Sequence, residues 1–399
     1  MTAHALLSAS SAARWLACTP SARATENIPE KISPYAMEGS LAHAIAELKL
    51  KKYLNEPMTA RTLNSRINKL KKDEKYIYRG ENGTAEEGVP VYEDEMLRYT
   101  DEYLDFVKEA FMAFKEKPYS AIEKKVNFSS IVPDGYGTAD CILIGGDTMH
   151  VIDFKYGKGV PVSAIRNAQM MLYALGALLE YGILYPIKTV KLSIVQPRID
   201  NVSTWEVYAD DLLEWGENVV KPKAQLAYEG EGDFVPGEHC KFCKLKGNCR
   251  ARAEEAFSMI VKAEQPPATL TPGELADALK KADMLAAWAK DVQEYSLTSI
   301  LDGGEIPGWK AVHGRSVRRF TDADAAFKAI IGSGVDEAML YERKPLTLAA
   351  IEKVMGKKNF ADVAGSFVET PPGKPTLVPE SDKREAIKGI TAEEAFKNI

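Results

Sequence analysis

Two turn signals, Pro133-Asp134-Gly135 and Gly145-Gly146-Asp147, cut the middle of the chain into three short runs: SAIEKKVNFSS, GYGTADCILIGG and TMHVIDFKYG. Each run is rich in β-branched and apolar residues, so the segment predicts three strands in an antiparallel meander. The second turn also sets a register. With its centre between Gly146 and Asp147, Asp140 falls opposite Asp153. Asp153 and Lys155 are two apart on an extended strand and so project to one face. Two carboxylates and an ammonium therefore converge at one end of a hairpin.

Helical patterns surround the strands. Ser8, Ser10 and Ser11 offer N-caps before ARWLAC, and EGSLAHAIAELKLKKYL carries Leu41, Ile45, Leu48 and Leu54 near helical spacing. Residues 61–90 are polar and lysine-rich and read as a mobile excursion; residues 92–117 read as a long amphipathic helix. After the meander come a helix in AIRNAQMMLYALGALLEYG, a strand in IKTVKLSIVQPRI and a helix in ADDLLEWGENVVKPKAQLAYEG. This order predicts an α/β fold with a central mixed sheet flanked by helices.

Aspartates on an apolar strand need a chemical reason. Hard oxygen ligands suit Mg²⁺ or Mn²⁺, and the ion lowers the pKa of a bound water and offsets charge on a phosphorane-like transition state. A neighbouring lysine orients the nucleophile, so the grouping predicts phosphodiester hydrolysis. Glu123, on the strand before the hairpin, is a further carboxylate, although a strand-edge Glu is more often solvated. Cys141 should face the opposite side of the sheet as a small buried hydrophobe.

The second constellation is EHCKFCKLKGNC, which holds Cys240, Cys243 and Cys249 out of five cysteines in 399 residues. An odd set with three clustered argues for a metal or cluster rather than a disulfide framework. Three thiolates lack a fourth ligand. His239 can complete a Cys3His zinc site, and spacing barely separates that reading from an iron–sulfur cluster.

The pattern Gly137-x-Ala139-Asp140, then Asp153-Phe154-Lys155, then Gln169 with Tyr173 one turn on, resembles the PD-(D/E)XK nuclease superfamily in its RecB-like branch. The resemblance implies a restriction-endonuclease-like core over residues 1–255. It further implies a catalytic set of Asp140, Asp153, Lys155, Gln169 and Tyr173, and a metal held by His43, Asp140, Asp153 and the carbonyl of Phe154. Some members clamp this domain with an iron–sulfur cluster, using one cysteine before it and three after. Here that implies a [4Fe-4S] cluster on Cys18, Cys240, Cys243 and Cys249, as in AddB-type nucleases and CRISPR-adaptation exonucleases. The whole chain also resembles a family of phage and prophage proteins grouped by a domain of unknown function. DNA is the implied partner, exonuclease action on free ends the implied activity, and phage DNA replication or recombination the implied setting. A non-catalytic single-strand-binding or replication-accessory protein that keeps the fold is the alternative.

Lys158, in the glycine-rich turn after the DFK strand, suits a grip on the DNA backbone. Residues 256–399 read as a helical or α+β extension. Within it WKAVHGRSVRRF sets Arg315, Arg318 and Arg319 between aromatics, as a single-strand contact would. The proline-rich end reads as an extended tail. A net charge of −6 excludes a generally basic coat protein but leaves a local basic channel open. With no signal-peptide pattern and no long apolar run, the expected location is the cytoplasm, with no membrane partner.

Overall fold

Five of the extended runs pair into one sheet in the computed structural model. The model describes residues 5–29, 33–80, 87–261, 271–312 and 322–334, with shorter stretches between 336 and 368. The strands are β1 (Tyr119–Asn127), β2 (Tyr136–Gly145), β3 (Thr148–Phe154), β4 (Thr189–Gln196) and β5 (Asn201–Tyr208), ordered β1-β2-β3-β4-β5. All neighbouring pairs are antiparallel except β3 with β4. The sheet is therefore mixed, as expected. Gly146 takes a left-handed φ of 59° in the β2–β3 turn, which glycine adopts without steric cost. The resulting register pairs Gly145 with Thr148 and Cys141 with Ile152, so the next facing positions are Asp140 and Asp153.

Helices cover both faces. The main ones are α1 (Ala12–Ala17), α2 (Pro34–Leu54), α3 (Ala60–Leu70), α4 (Glu95–Met112), α5 (Ala168–Tyr181), α6 (Ala209–Trp215) and α7 (Lys221–Glu229). The crossover between parallel β3 and β4 is α5, buried from Met170 to Leu178 against Ile142, Val151 and Ile194 with Trp15 of α1. On the opposite face, Leu41 and Ile45 of α2 and Tyr103 and Val107 of α4 pack against Cys141, Leu143, Ile152 and Phe154. Two apolar cores thus hold the sheet between them, the layered solution for elements with apolar faces. Cys141 lies in the second core, a fully buried thiol as expected.

Two elements depart from the sequence reading. Residues 61–90 contain α3, capped by Thr59, whose hydroxyl accepts from Thr62 N at 3.2 Å; Ile67 anchors it to the second core. The strand β5 follows a single left-handed residue, Asp200 at φ 50°, and pairs along its whole length with β4. Its alternating Ser203, Trp205 and Val207 face inward.

Both ends of this layer structure are drawn together by hydrogen bonds. Thr19 Oγ1 donates to Glu231 O at 2.6 Å, Arg23 Nε to Tyr228 O at 2.6 Å, and Lys223 Nζ to Leu16 O at 2.9 Å. Beyond them run α8 (Arg250–Val261) and α9 (Pro272–Leu301). The chain divides into compact units at Met1–Val312 and His313–Ile399, so α9 groups with the first unit rather than with an extension beginning at 256. The reason is Asp291 of α9, which takes Lys246 Nζ at 2.8 Å and Arg252 Nη1 at 2.6 Å. In the second unit the helix Ala323–Gly332 is capped by Asp322, which accepts from Ala325 N at 2.9 Å. Among the described residues no helix is long and apolar enough to cross a membrane.

One buried titratable group on β3 gives the fold a pH signature. His150 is buried, with Nε2 2.8 Å from Ser193 Oγ, and burial, aided by the charge of Lys191, lowers its pKa to about 3. Because the folded value lies below that of the unfolded chain, its contribution is present above about pH 6.5. It is lost as pH falls from there towards 3, by up to ~1.4 kcal/mol per pH unit. Urea unfolding of wild type and His150→Asn at pH 7.5, 6.0 and 5.0 should show the wild type losing stability more steeply on acidification. Parallel slopes would contradict this.

Candidate metal centre

The hairpin end expected to gather acids does gather them. Asp140 Oδ2 accepts from Phe154 N at 2.7 Å, so the strand that carries Asp153 also fixes the carboxylate of its neighbour. Lys155 Nζ stands 3.0 Å from Asp153 Oδ2 as an ion-pair partner. Asp153 is only 2 % exposed. A carboxylate buried beside a second one is costly unless cations offset both, and Lys155 offsets only part of that cost, since Asp153 stays raised.

From the α2 side, His43 brings Nδ1 to 3.3 Å from Asp140 Oδ1 and 4.0 Å from Glu123 Oε1. Its ring leans on Phe154, centroids 5.3 Å apart, and Phe154 stacks on Tyr103 at 4.6 Å. Donor atoms of His43, Glu123 and Asp140 lie within 4.8 Å of one another, and the three can hold a divalent metal ion. Asp153 borders the group. Phe154 is fully buried between His43 and Tyr103.

Sequence reasoning gave Glu123 little weight, and the backbone explains why. The β1–β2 ladder pairs Ile122 with Cys141 and Lys124 with Ala139, but the position between them is unbridged. There Glu123 adopts a left-handed φ of 48°, which turns it out of the regular pleat. A non-glycine residue in this region costs ~1–2 kcal/mol. No pattern in the sequence marks the twist; only its placement opposite Asp140 does.

The charges are mutually dependent. Burial works against a protonated His43, but Asp140, Asp153 and Glu123 outweigh it and raise its pKa to about 9. Burial and then the charge of Asp140 push Glu123 up to about 7. Burial also disfavours ionised Asp140, yet His43, the Phe154 N–H and Lys155 hold it below the usual carboxylate range. Asp153 is raised, by burial first and by Asp140, against the pull of Lys155. Burial disfavours the charged form of Lys155 too, but Asp153 and Asp140 raise it, so it is a fixed cation at neutral pH.

On the α5 side, Lys155 Nζ donates to Gln169 Oε1 at 3.1 Å and Gln169 Nε2 donates to Tyr173 OH at 2.9 Å. Burial raises the Tyr173 phenol, which stays neutral. Gly137 makes room for this residue, since a Cβ there would sit 2.5 Å from the Tyr173 ring. The structure thus joins His43, Asp140, Asp153, Phe154, Lys155, Gln169 and Tyr173 in one neighbourhood and adds Glu123. Lys158 is exposed, three residues after Lys155. Arg315, Arg318 and Arg319 lie outside the described residues.

The cysteines gather elsewhere. Cys18, Cys240, Cys243 and Cys249 are all free and line one small cavity with Arg14, His239 and Arg252. Burial raises the Cys243 thiol, and the nearby Cys240 and Cys18 add to that. His239 Nε2 donates to Val235 O at 2.9 Å, leaving one ring nitrogen. Among the described residues, His43, Glu123 and Asp140 form the one group of three or more such ligands whose donor atoms all lie within 4.8 Å of one another.

The model of a family described as "Protein of unknown function (DUF2800)" matches residues 4–385. The chain belongs to this family. A solved structure titled "Crystal structure of SSO0001" matches this DUF2800 member at 16 % identity, over 52 % of this chain and 95 % of that one, with a TM-score of 0.23. At that score the likeness carries no structural argument.

A divalent ion entering the centre must displace the proton of His43. Titration with Mn²⁺ at pH 7.5 in HEPES, PIPES and Tris should give heats that vary with buffer ionisation enthalpy, corresponding to release of about one proton. His43→Gln should remove most of that dependence. Buffer-independent heats in the wild type would contradict the assignment.

Proposed function

We propose that this chain is a metal-dependent DNA nuclease with a restriction-endonuclease-like core of the RecB type. The observation that carries the reading is the buried Asp153 carboxylate, beside Asp140, paired with Lys155 and within the field of His43 and Glu123. Buried acids this close need a cation, and hard oxygen donors with one imidazole suit Mg²⁺ or Mn²⁺. His43, Glu123, Asp140, Asp153 and the carbonyl of Phe154 would hold the ion. When bound, it supplies charge neutralisation at a scissile phosphate and acidifies a coordinated water.

The protein's own groups supply the rest. Lys155, kept cationic by two aspartates, orients the attacking water and offsets charge developing on the phosphate oxygens. Because its pKa is raised, it acts as a fixed charge rather than as a base. Gln169 locks Lys155 in place and turns the Tyr173 hydroxyl, whose own proton is left to donate to a phosphate oxygen. Phe154 and Tyr103 wall the site with stacked rings and exclude water from the acids. A retired, purely binding site would have no need to retain this buried charge.

Cys18, Cys240, Cys243 and Cys249 would hold a [4Fe-4S] cluster, the group that the family resemblance implies, with zinc as the alternative. The cluster would tie Cys18 to the 240–249 segment across a closure that hydrogen bonds already make. Exonuclease action on free ends, in phage DNA replication or recombination, is the setting this reading favours.

End-labelled single- and double-stranded DNA, linear and circular, incubated with Mg²⁺ or Mn²⁺ should be degraded, with linear substrates preferred. Asp153→Asn and Lys155→Ala should each lower the rate at least ~100-fold while the melting temperature stays near wild type. Cleavage by the Asp153 variant at the wild-type rate would refute the site. Anaerobically purified protein should carry about four irons with acid-labile sulfide; stoichiometric zinc would replace the cluster assignment.

A further inference from the structure

The segment Gly157–Arg166 joins the two halves of the centre, leaving β3 just after Lys155 and entering α5 just before Gln169. Such a connection of ten residues is ordinarily free to move, and this one is not. Gln196, 3 % exposed at the end of β4, accepts from Val162 N at 2.7 Å and donates to Val160 O at 3.2 Å. Asn201 Nδ2 donates to Val162 O at 3.0 Å, and Ser203 Oγ accepts from Ala164 N at 2.9 Å. Asn167 closes the segment by capping α5, its side chain accepting from Met170 N and donating to Ser163 O.

This pinning sorts the side chains. Ala164 is fully buried and Val162 packs on the core of the α5 face, while Val160 and Ile165 are held outward at 49 % and 61 % exposure. Flanking them in the chain stand Lys158 and Arg166, both exposed. Among the described residues neither has a hydrogen-bond or ion-pair partner. Arg166 is moreover held at a left-handed φ of 52°. Two uncommitted cations and two exposed aliphatic side chains, on a backbone fixed by buried amides, form a surface beside the acids of the centre.

We infer that Gly157–Arg166 is a preformed guide for single-stranded DNA, with Lys158 and Arg166 taking backbone phosphates and Val160 and Ile165 covering unpaired bases; this rests on the nuclease reading above. A double helix fits the arrangement less well. Its base faces are stacked inside, so aliphatic tips beside the phosphate track would stay in water. In a single strand each base offers an apolar face next to its phosphate. Since both ends of the guide are rooted in the centre, a strand lying on it is delivered to Asp153 and Lys155 without a loop having to order.

The test uses the full chain with Ca²⁺ in place of Mn²⁺ and measures fluorescence anisotropy of labelled dT20 and of a blunt 20-base-pair duplex. Lys158→Ala with Arg166→Ala should lower the slope of log affinity against log salt for dT20 by about 1.4, or about 0.7 for each phosphate no longer neutralised. Val160→Ser with Ile165→Ser should weaken dT20 binding about fivefold at an unchanged slope and leave the duplex within about twofold. Both pairs lie on the surface, and unchanged melting temperatures check the fold. Wild-type affinity and slope in both double variants, in a protein that still degrades DNA in Mn²⁺, would overturn the guide alone. Equal losses on duplex and dT20 would overturn its single-strand character. A wild-type chain that neither binds nor degrades either DNA would overturn the nuclease reading, and the guide with it.

Discussion

One hydrogen bond, from the Phe154 amide to the Asp140 carboxylate, holds together most of what is distinctive here. It lies where the β2–β3 ladder ends, so the strand pairing that builds the sheet also aims the acid. The ladder itself is fixed by the turn at Gly145-Gly146-Asp147. A slip of one residue would turn the apolar sets of β2 and β3 to the wrong faces, and both faces are buried. Packing of two cores therefore specifies the geometry of a polar site that by itself has no means of enforcing it.

The cost of that geometry is a concentration of negative charge in a dry place. Glu123, Asp140 and Asp153 meet the cations His43 and Lys155, and every titration among the five is distorted. His43 is raised to about 9, Glu123 to about 7, and Asp153 upward. A proton on His43 is a placeholder whose position a divalent ion can take. The strained backbone at Glu123 belongs to the same arrangement, since it lies at the position that faces Asp140.

The three-strand meander and the facing of Asp140 and Asp153 were legible because turn residues and apolar runs report directly on local backbone geometry. The strand β5 was less so. Its sequence NVSTWEVY alternates, but it forms a sheet edge with a half-buried inner face, and its turn is a lone Asp200 rather than a glycine signal. The helix α3 carries few apolar residues, Leu63, Ile67 and Leu70 among lysines and asparagines, and owes its place to packing on α2. Glu123 was visible as a residue but not as a ligand, because its place depends on the β1–β2 register that sets it opposite Asp140. The approach of Cys18 to the 240–249 segment was legible only through family resemblance, since contacts so remote in sequence leave no local pattern.

The most direct measurement of the central claim is anomalous diffraction from crystals of the wild-type chain soaked in Mn²⁺. The account predicts one strong peak at the end of the β2–β3 hairpin, within about 2.0–2.6 Å of oxygens from Asp140 and Asp153 and close to His43 and Glu123. Density placing manganese away from these residues, or none at saturating concentration with Asp140 and Asp153 turned apart, would contradict it.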